Sequence, residues 1–242
     1  QFENSFSKFI GSKYCISTNN GTDALILCLK ALNIKPGDEV ITVANTFYAT
    51  VGAIEAVGAT PVFCDCDDRY QIKIDEIKKK ITKKTKAIIP VHWGGASPDM
   101  FKIMRIAKLN KLKVIEDACM GIGGDLKGKS PGTFGDISAF SLHPLKSLNA
   151  MGDAGAVVTN NKRLYNWLLK YRNHGMINRD TIKIWGVNSR MQPLQSIVGL
   201  WGLKKINKVI KIRNNNARYY DKKLKKFKKY MKVPTRIKGF KE

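Results

Sequence analysis

Acid is scarce in this sequence: 19 Asp and Glu stand against 43 Lys and Arg in 242 residues, a formal charge of +24. No apolar run approaches the roughly eighteen residues of a helical membrane span, so none is expected. Gln1-Phe2-Glu3-Asn4 has neither the basic start nor the apolar core of a secretion signal, and the expected compartment is the cytoplasm. Cysteine is sparse and odd in number: Cys15, Cys28, Cys64, Cys66 and Cys119 form neither a disulfide framework nor the repeated pairs of a zinc site. Cys64 and Cys66 share one face of an extended stretch but have no second pair to complete a metal set. All five read as small buried or half-buried residues in a reducing compartment. The three histidines, His92, His143 and His174, have no metal-ligand spacing, and no metal is expected. There is no fixed-period repeat and no low-complexity linker. With 43% hydrophobic and 26% charged residues, wholesale disorder and a fibrous repeat are set aside. Because the first residue is not Met and the last turn is rich in charge, the sequence reads as a piece of a longer chain.

The excess positive charge is concentrated. Between Leu203 and Glu242 sixteen Lys and Arg face two acids, so +14 of the +24 lies in the last 40 residues. That segment carries no Cys/His finger, no helix-turn-helix cue and no aromatic spacing of a base-stacking platform. A basic nucleic-acid-binding module therefore stays as an alternative and is not the favoured reading; solvated helix faces tolerate lysine well.

Short apolar, often β-branched runs at Glu39–Val43, Thr60–Phe63, Ala87–Val91, Val114–Glu116, Ile137–Phe140 and Ala156–Thr159 predict six buried strands. Amphipathic stretches at Thr22–Leu32, Tyr48–Val57, Ile74–Ile81 and Pro98–Leu109 predict crossover helices between them. This alternation means an α/β architecture with a mostly parallel sheet between helical layers. After Asn160 the strands are expected to stop, leaving helices at Lys162–Tyr171 and Gln192–Lys229, the latter broken near Trp201-Gly202. In such sheets ligands bind at the carboxyl ends of the strands, so the chemistry is expected in the loops that leave them.

One loop carries a tempting motif. Gly123-Gly124-Asp125-Leu126-Lys127-Gly128-Lys129-Ser130 satisfies the letter of the phosphate-cradling G-x-x-x-x-G-K-[ST]. The mechanism needs a helix to start at the Gly-Lys-Ser, yet Pro131-Gly132 follows and nothing helical precedes Ile137. A hairpin or loop with an exposed Gly-Lys turn is the preferred reading, and a P-loop nucleotide hydrolase the alternative.

Three ordinary features gain meaning together. Asn20-Gly21-Thr22-Asp23-Ala24-Leu25 places Gly-Thr at a helix entry, where N–H groups and a hydroxyl bind phosphate or merely cap. Val114-Ile115-Glu116-Asp117 ends an apolar strand on an acid, which needs a cation or donor facing it. Phe140-Ser141-Leu142-His143-Pro144-Leu145-Lys146 puts an amine in the loop after a buried strand. A phosphate site, an anion for a ring cation and an amine are the groups that pyridoxal phosphate requires.

With Thr46-Phe47-Tyr48-Ala49-Thr50 and the continuation to Gly155, the run resembles the DegT/StrS-type sugar aminotransferases, which are fold-type I pyridoxal-phosphate enzymes. Nearly the whole chain is covered in order. The resemblance implies an aspartate-aminotransferase-like, three-layer α/β/α large domain over 1–190, without its N-terminal segment, and over 191–242 the helical start of a truncated small domain. It implies Lys146 as Schiff-base lysine and proton shuttle, and Asp117 as partner of the pyridine nitrogen. Gly21, Thr22 and Ser141 are expected to hold the phosphate of pyridoxal 5'-phosphate, and Phe47 to stack on its ring. In Trp185-Gly186-Val187-Asn188-Ser189-Arg190-Met191, similar to the family's G-x-N-x-R-M, Asn188 is expected to reach the phosphate of a neighbouring subunit, which implies a homodimer with shared sites. His143, His174 and Arg190, with Lys170 and Arg172, are candidates near the substrate. Met120 departs from the family, which usually places Gln or His there, near the cofactor's phenolic oxygen. Another branch of the family carries histidine in place of the lysine and dehydrates its sugar. Lys146 therefore points to transfer of an amino group from glutamate to a nucleotide-linked keto sugar, with the dehydratase as alternative.

Overall fold

Five-residue apolar runs build a seven-stranded sheet in this computed structural model, which describes residues 1–242. The strands are β1 (Tyr14–Thr18), β2 (Glu39–Val43), β3 (Thr60–Cys64), β4 (Thr85–Ile89), β5 (Lys113–Asp117), β7 (Ile137–Ser141) and β8 (Gly155–Thr159). Two-residue or three-residue strands lie outside it: β6 (Asp125–Leu126) pairs with β11 (Phe240–Lys241), and β9 (Met176–Asn178) with β10 (Thr181–Ile182). The helices are α1 (Phe2–Ile10), α2 (Gly21–Ala31), α3 (Tyr48–Ala56), α4 (Ile74–Lys80), α5 (Met100–Leu109), α6 (Lys162–Tyr171) and α7 (Pro193–Leu224).

The sheet order is β1-β8-β7-β5-β4-β2-β3. From β7 to β3 all neighbours are parallel, while β8 runs antiparallel to both β7 and β1. Side chains alternate between the two faces: Val40, Ala87 and Ile89 pack under α2, α3 and α6, whereas Ile41, Val43 and Ile88 pack against α4 and α5. Near β1 and β8 that second face is covered by α1 and α7, through Phe2, Phe6, Ile10 and Ile206. Helices on both faces explain why the strand interiors read as continuous apolar runs.

All six expected strands form, within two residues of their expected ends. β1 is a seventh, which its short, mixed Tyr-Cys-Ile-Ser-Thr sequence did not announce. Strands also continue beyond Asn160, as the β9–β10 hairpin and β11, because pairs this short carry no periodicity. The expected break at Trp201-Gly202 does not exist: α7 is one 32-residue helix, opened by Pro193 and a reciprocal Gln192–Gln195 capping box. Gly202 serves close packing instead, since a Cβ there would lie 2.7 Å from Leu148 Cδ1.

Glu3 on α1 fastens the β1 edge. Its carboxylate accepts the Ser17 N–H and hydroxyl, both at 2.8 Å, and Arg172 Nη1 at 2.6 Å; Arg172 also donates to the Ser17 carbonyl at 2.6 Å. Arg172 is thereby committed to a structural bridge, which corrects its candidacy as a substrate contact. Burial alone would raise the Glu3 carboxyl, but the Arg172 charge and the Ser17 bonds outweigh it and hold Glu3 below its ordinary 4.5. The pair's contribution is therefore present above pH 4.5 and lost as pH falls through the lower native value. Glu3→Gln is expected to flatten the acid side of the melting temperature against pH; an acid limb identical to wild type would contradict this.

Candidate active site

Loops leaving the carboxyl ends of β2, β4, β5 and β7 meet the start of α2 around a cleft of about 220 Å³, lined among others by Gly21, Thr22, Phe47, Asp117, Ser141 and Lys146. This is the edge of an open α/β sheet where ligands bind. Asn20 opens α2 by accepting the Asp23 N–H at 2.7 Å. The first N–H groups of a helix lack intrahelical partners, so Gly21 and Thr22 bring donors and the positive end of the helix dipole to the cleft. Glycine is required at 21 because a Cβ would stand 2.7 Å from Ser141 Cβ.

Asp117 closes β5 almost fully buried. One of its oxygens accepts the Thr50 hydroxyl at 2.7 Å and the other the Cys119 N–H at 3.2 Å. Thr46 and Thr50 hydroxyls lie 2.8 Å apart. Thr50 gives its one hydrogen to Asp117, so Thr46 donates to Thr50 and the chain Thr46→Thr50→Asp117 has a fixed direction. Lys146 follows β7, its N–H closing a turn on the His143 carbonyl at 2.8 Å. The Cys119 thiol shows how tightly these groups gather: burial, then the Asp117 charge and hydrogen bond, push it well above its usual value, with the Lys146 charge opposing.

Thr50, which holds the Asp117 carboxylate, was passed over by sequence reasoning. It stood within the Thr46–Thr50 motif, and its spacing of four from Thr46 at a helix entry was the available signal. Trp93, after β4, also lines the cleft. Thr50→Val, nearly isosteric, leaves a buried carboxylate oxygen without its donor and is expected to cost about 1–3 kcal/mol of unfolding free energy. Urea denaturation tests this, and an unchanged midpoint would contradict it.

Of the remaining candidates, His143 lines the cleft, its N–H donating to Ser141 Oγ at 3.3 Å and its Nδ1 accepting the Leu145 N–H at 3.2 Å. Asn188, His174 and Arg190 are exposed and outside this chain's own cleft. Arg190 donates to Asn188 Oδ1 at 3.0 Å and Asn173 Oδ1 at 2.7 Å. Their segment is anchored by buried Ser189, whose hydroxyl donates to Asn19 Oδ1 at 2.8 Å. Phe47 is half exposed, and Met120 lines both this cleft and an adjoining one of about 290 Å³ that also contains Lys146 and reaches Arg213 on α7. The Gly123–Ser130 motif is a tight hairpin: Leu126 and Lys129 exchange N–H···O bonds of 2.9 and 3.3 Å around Lys127 and Gly128, both at positive φ. No helix starts there, so the segment has no phosphate cradle.

A sequence model of the DegT/DnrJ/EryC1/StrS aminotransferase family matches residues 1–239. The chain belongs to this family. It is 47% identical over 189 residues to UDP-N-acetyl-3-dehydro-alpha-D-glucosamine 3-aminotransferase of Acidithiobacillus ferrooxidans, covering 78% of this chain and 51% of that one. It is 41% identical over 228 residues to GDP-perosamine synthase of Escherichia coli O157:H7, covering 92% of this chain and 62% of that one. The chain thus spans between half and two thirds of these relatives' length. Among solved structures it matches NtdA of Bacillus subtilis with bound cofactor PMP, with a TM-score of 0.90 and 37% identity over 97% of this chain and 55% of that one. The mostly parallel sheet between helical layers is the fold-type I architecture of this DegT-family member.

Proposed function

We propose that this DegT-family chain is the cofactor-binding part of an aminotransferase that uses pyridoxal 5'-phosphate to move an amino group from glutamate to the keto group of a nucleotide-linked sugar. One observation carries the reading: Lys146, Asp117, Ser141, Gly21 and Thr22 line a single cleft. The donor set suits the cofactor. Gly21, which a Cβ would drive into Ser141, leaves a cradle of N–H and hydroxyl donors for a phosphate, and Asp117 is a carboxylate already held by two donors.

When bound, pyridoxal phosphate supplies an electron sink for the carbon that loses a proton. Gly21, Thr22 and Ser141 hold its phosphate. Asp117, kept as an acceptor by Thr50 and Cys119, holds a proton at the ring nitrogen. Phe47, which lines the cleft, would offer its ring to the cofactor's face. Lys146 would hold the cofactor through its amine, and that amine would carry the proton to and from the substrate. Met120 offers no strong donor, so the phenolic oxygen takes no such bond from position 120. The presence of lysine at 146 favours transfer over dehydration.

The division at residue 190 and the homodimer belong to the same proposal. Trp185 is 90% exposed, and Ile177, Ile182, Leu194, Ile197 and Trp201 are exposed with it; apolar surface of this kind marks an interface. A second copy seated there brings Asn188 towards the partner's phosphate. Wild type is expected to sediment as a dimer, and Trp185→Asp with Ile197→Asp as a monomer with weakened cofactor binding; a monomeric wild type would contradict the shared site.

The function is tested by colour. A yellow protein, bleached by glutamate with release of 2-oxoglutarate and restored by a keto sugar that leaves as the amino sugar, is expected. A colourless protein that takes up no pyridoxal phosphate and binds DNA with steep salt dependence would favour the basic module instead.

A further inference from the structure

A second buried acid lies directly behind the first. Glu116 precedes Asp117 on β5, and because successive strand side chains point to opposite faces, its carboxylate turns away from the cleft into the protein. Glu116 and His92 are both completely buried. One Glu116 oxygen accepts the N–H groups of Phe134 at 2.6 Å and Gly135 at 2.7 Å, with the Ser138 hydroxyl at 3.3 Å. The other accepts Gly132 N–H at 2.8 Å and His92 Nε2 at 3.0 Å. Burial alone would raise this carboxyl, but His92 and the Gly135 and Gly132 N–H groups reverse the effect and keep it below its ordinary value. An ionised carboxylate only accepts, so His92 Nε2 carries the hydrogen. The far ring nitrogen meets the Ser97 hydroxyl at 2.8 Å.

Three segments meet at this pair, and two of them wall the cleft. His92 donates its N–H to the Asp117 carbonyl and Asp117 donates to the Pro90 carbonyl, both at 3.0 Å. Val91 and Trp93, on either side of His92, line the cleft, as do Asp117, Cys119 and Met120. Gly121, in the same loop as Cys119 and Met120, sits so close that a Cβ there would be 3.0 Å from His92 Cβ. The third segment is the turn at 130–135.

We propose that His92 and Glu116 are positioning residues for the reaction: their hydrogen bond fixes the segment 90–95 against the segment 116–121, and so sets how Asp117, Trp93 and Met120 meet the cofactor ring. The proposal rests on the aminotransferase reading. Neither residue lines the cleft; both act through Asp117 and its neighbours. A purely structural role would be served as well by an apolar pair of equal volume, because replacing both partners of a buried hydrogen bond by apolar groups of the same shape is close to neutral for stability.

The test uses His92→Phe, which keeps a ring but removes the donor, His92→Gln, whose amide N–H replaces Nε2–H, and Ser97→Ala. Each protein is saturated with pyridoxal phosphate, freed of excess, and read by its cofactor dissociation constant and by the ratio of visible circular dichroism to visible absorbance. That ratio reports how the protein sets the ring and does not depend on the fraction folded. His92→Phe is expected to weaken cofactor binding about tenfold and change the ratio, and His92→Gln to restore both. A folded His92→Phe protein with both quantities unchanged overturns the proposal. If His92→Phe does not fold, Ser97→Ala decides: a changed ratio supports the proposal and an unchanged one overturns it. A wild-type protein that binds no pyridoxal phosphate overturns the aminotransferase reading and this proposal together.

Discussion

Lys146→Ala is expected to replace the visible band by that of the unbonded aldehyde and lower amino transfer by about 10⁴-fold, since it removes the covalent anchor and the proton carrier at once. The side chain is half-buried in a loop, and its backbone N–H bond to the His143 carbonyl survives the substitution, so the fold and the phosphate cradle should persist. The variant should therefore still bind pyridoxal phosphate, as the unbonded aldehyde. A small primary amine added to the solution can enter the space left behind and take over part of the proton transfer. Recovery that rises with amine concentration would identify the missing group as an amine. Retention of more than about a tenth of the activity without added amine would contradict a catalytic role.

Asp117→Ala is expected to cost about 10²–10³-fold in rate, the range for removing one preorganised electrostatic contact. It also leaves the Thr50 hydroxyl and the Cys119 N–H facing an empty position, at about 1–3 kcal/mol of stability for a buried group left unpaired. Activity and urea denaturation together separate the two effects. Thr50→Val shares the loss of the Thr50–Asp117 bond but keeps the charge, so its rate should fall far less than that of Asp117→Ala. Equal losses in the two variants would show that the hydrogen bond, and not the charge at the ring nitrogen, carries the effect.

The sequence made the outlines legible where burial is two-sided. β2, β5, β7 and β8 are apolar runs because helices cover both faces, and their ends were readable to within a residue. β1 was not, because it is an edge strand whose partner β8 lies 140 residues away in the chain. Gly202 was misread because glycine in a helix signals either a break or a close approach, and only Leu148 across the interface distinguishes them. At the site, Lys146 and Asp117 were singled out because an amine and an acid at strand ends, each ordinary alone, gain meaning beside the Gly21-Thr22 helix entry and within the order of the family's motifs. Thr50 and the His92–Glu116 pair were missed because hydroxyls near a helix start and a histidine after a strand are commonplace until their partners, distant in sequence, are placed beside them. Arg172 was misassigned for the converse reason: a lone arginine reads as an anion site until Glu3 is seen to occupy it.

The most direct measurement is reduction of the yellow protein with borohydride, which fixes bound pyridoxal phosphate to the amine that holds it, followed by peptide mass mapping. A phosphopyridoxyl group on Lys146 alone, among 34 lysines, is the predicted result. Labelling spread over surface lysines, or confined to a lysine outside the cleft, would contradict it.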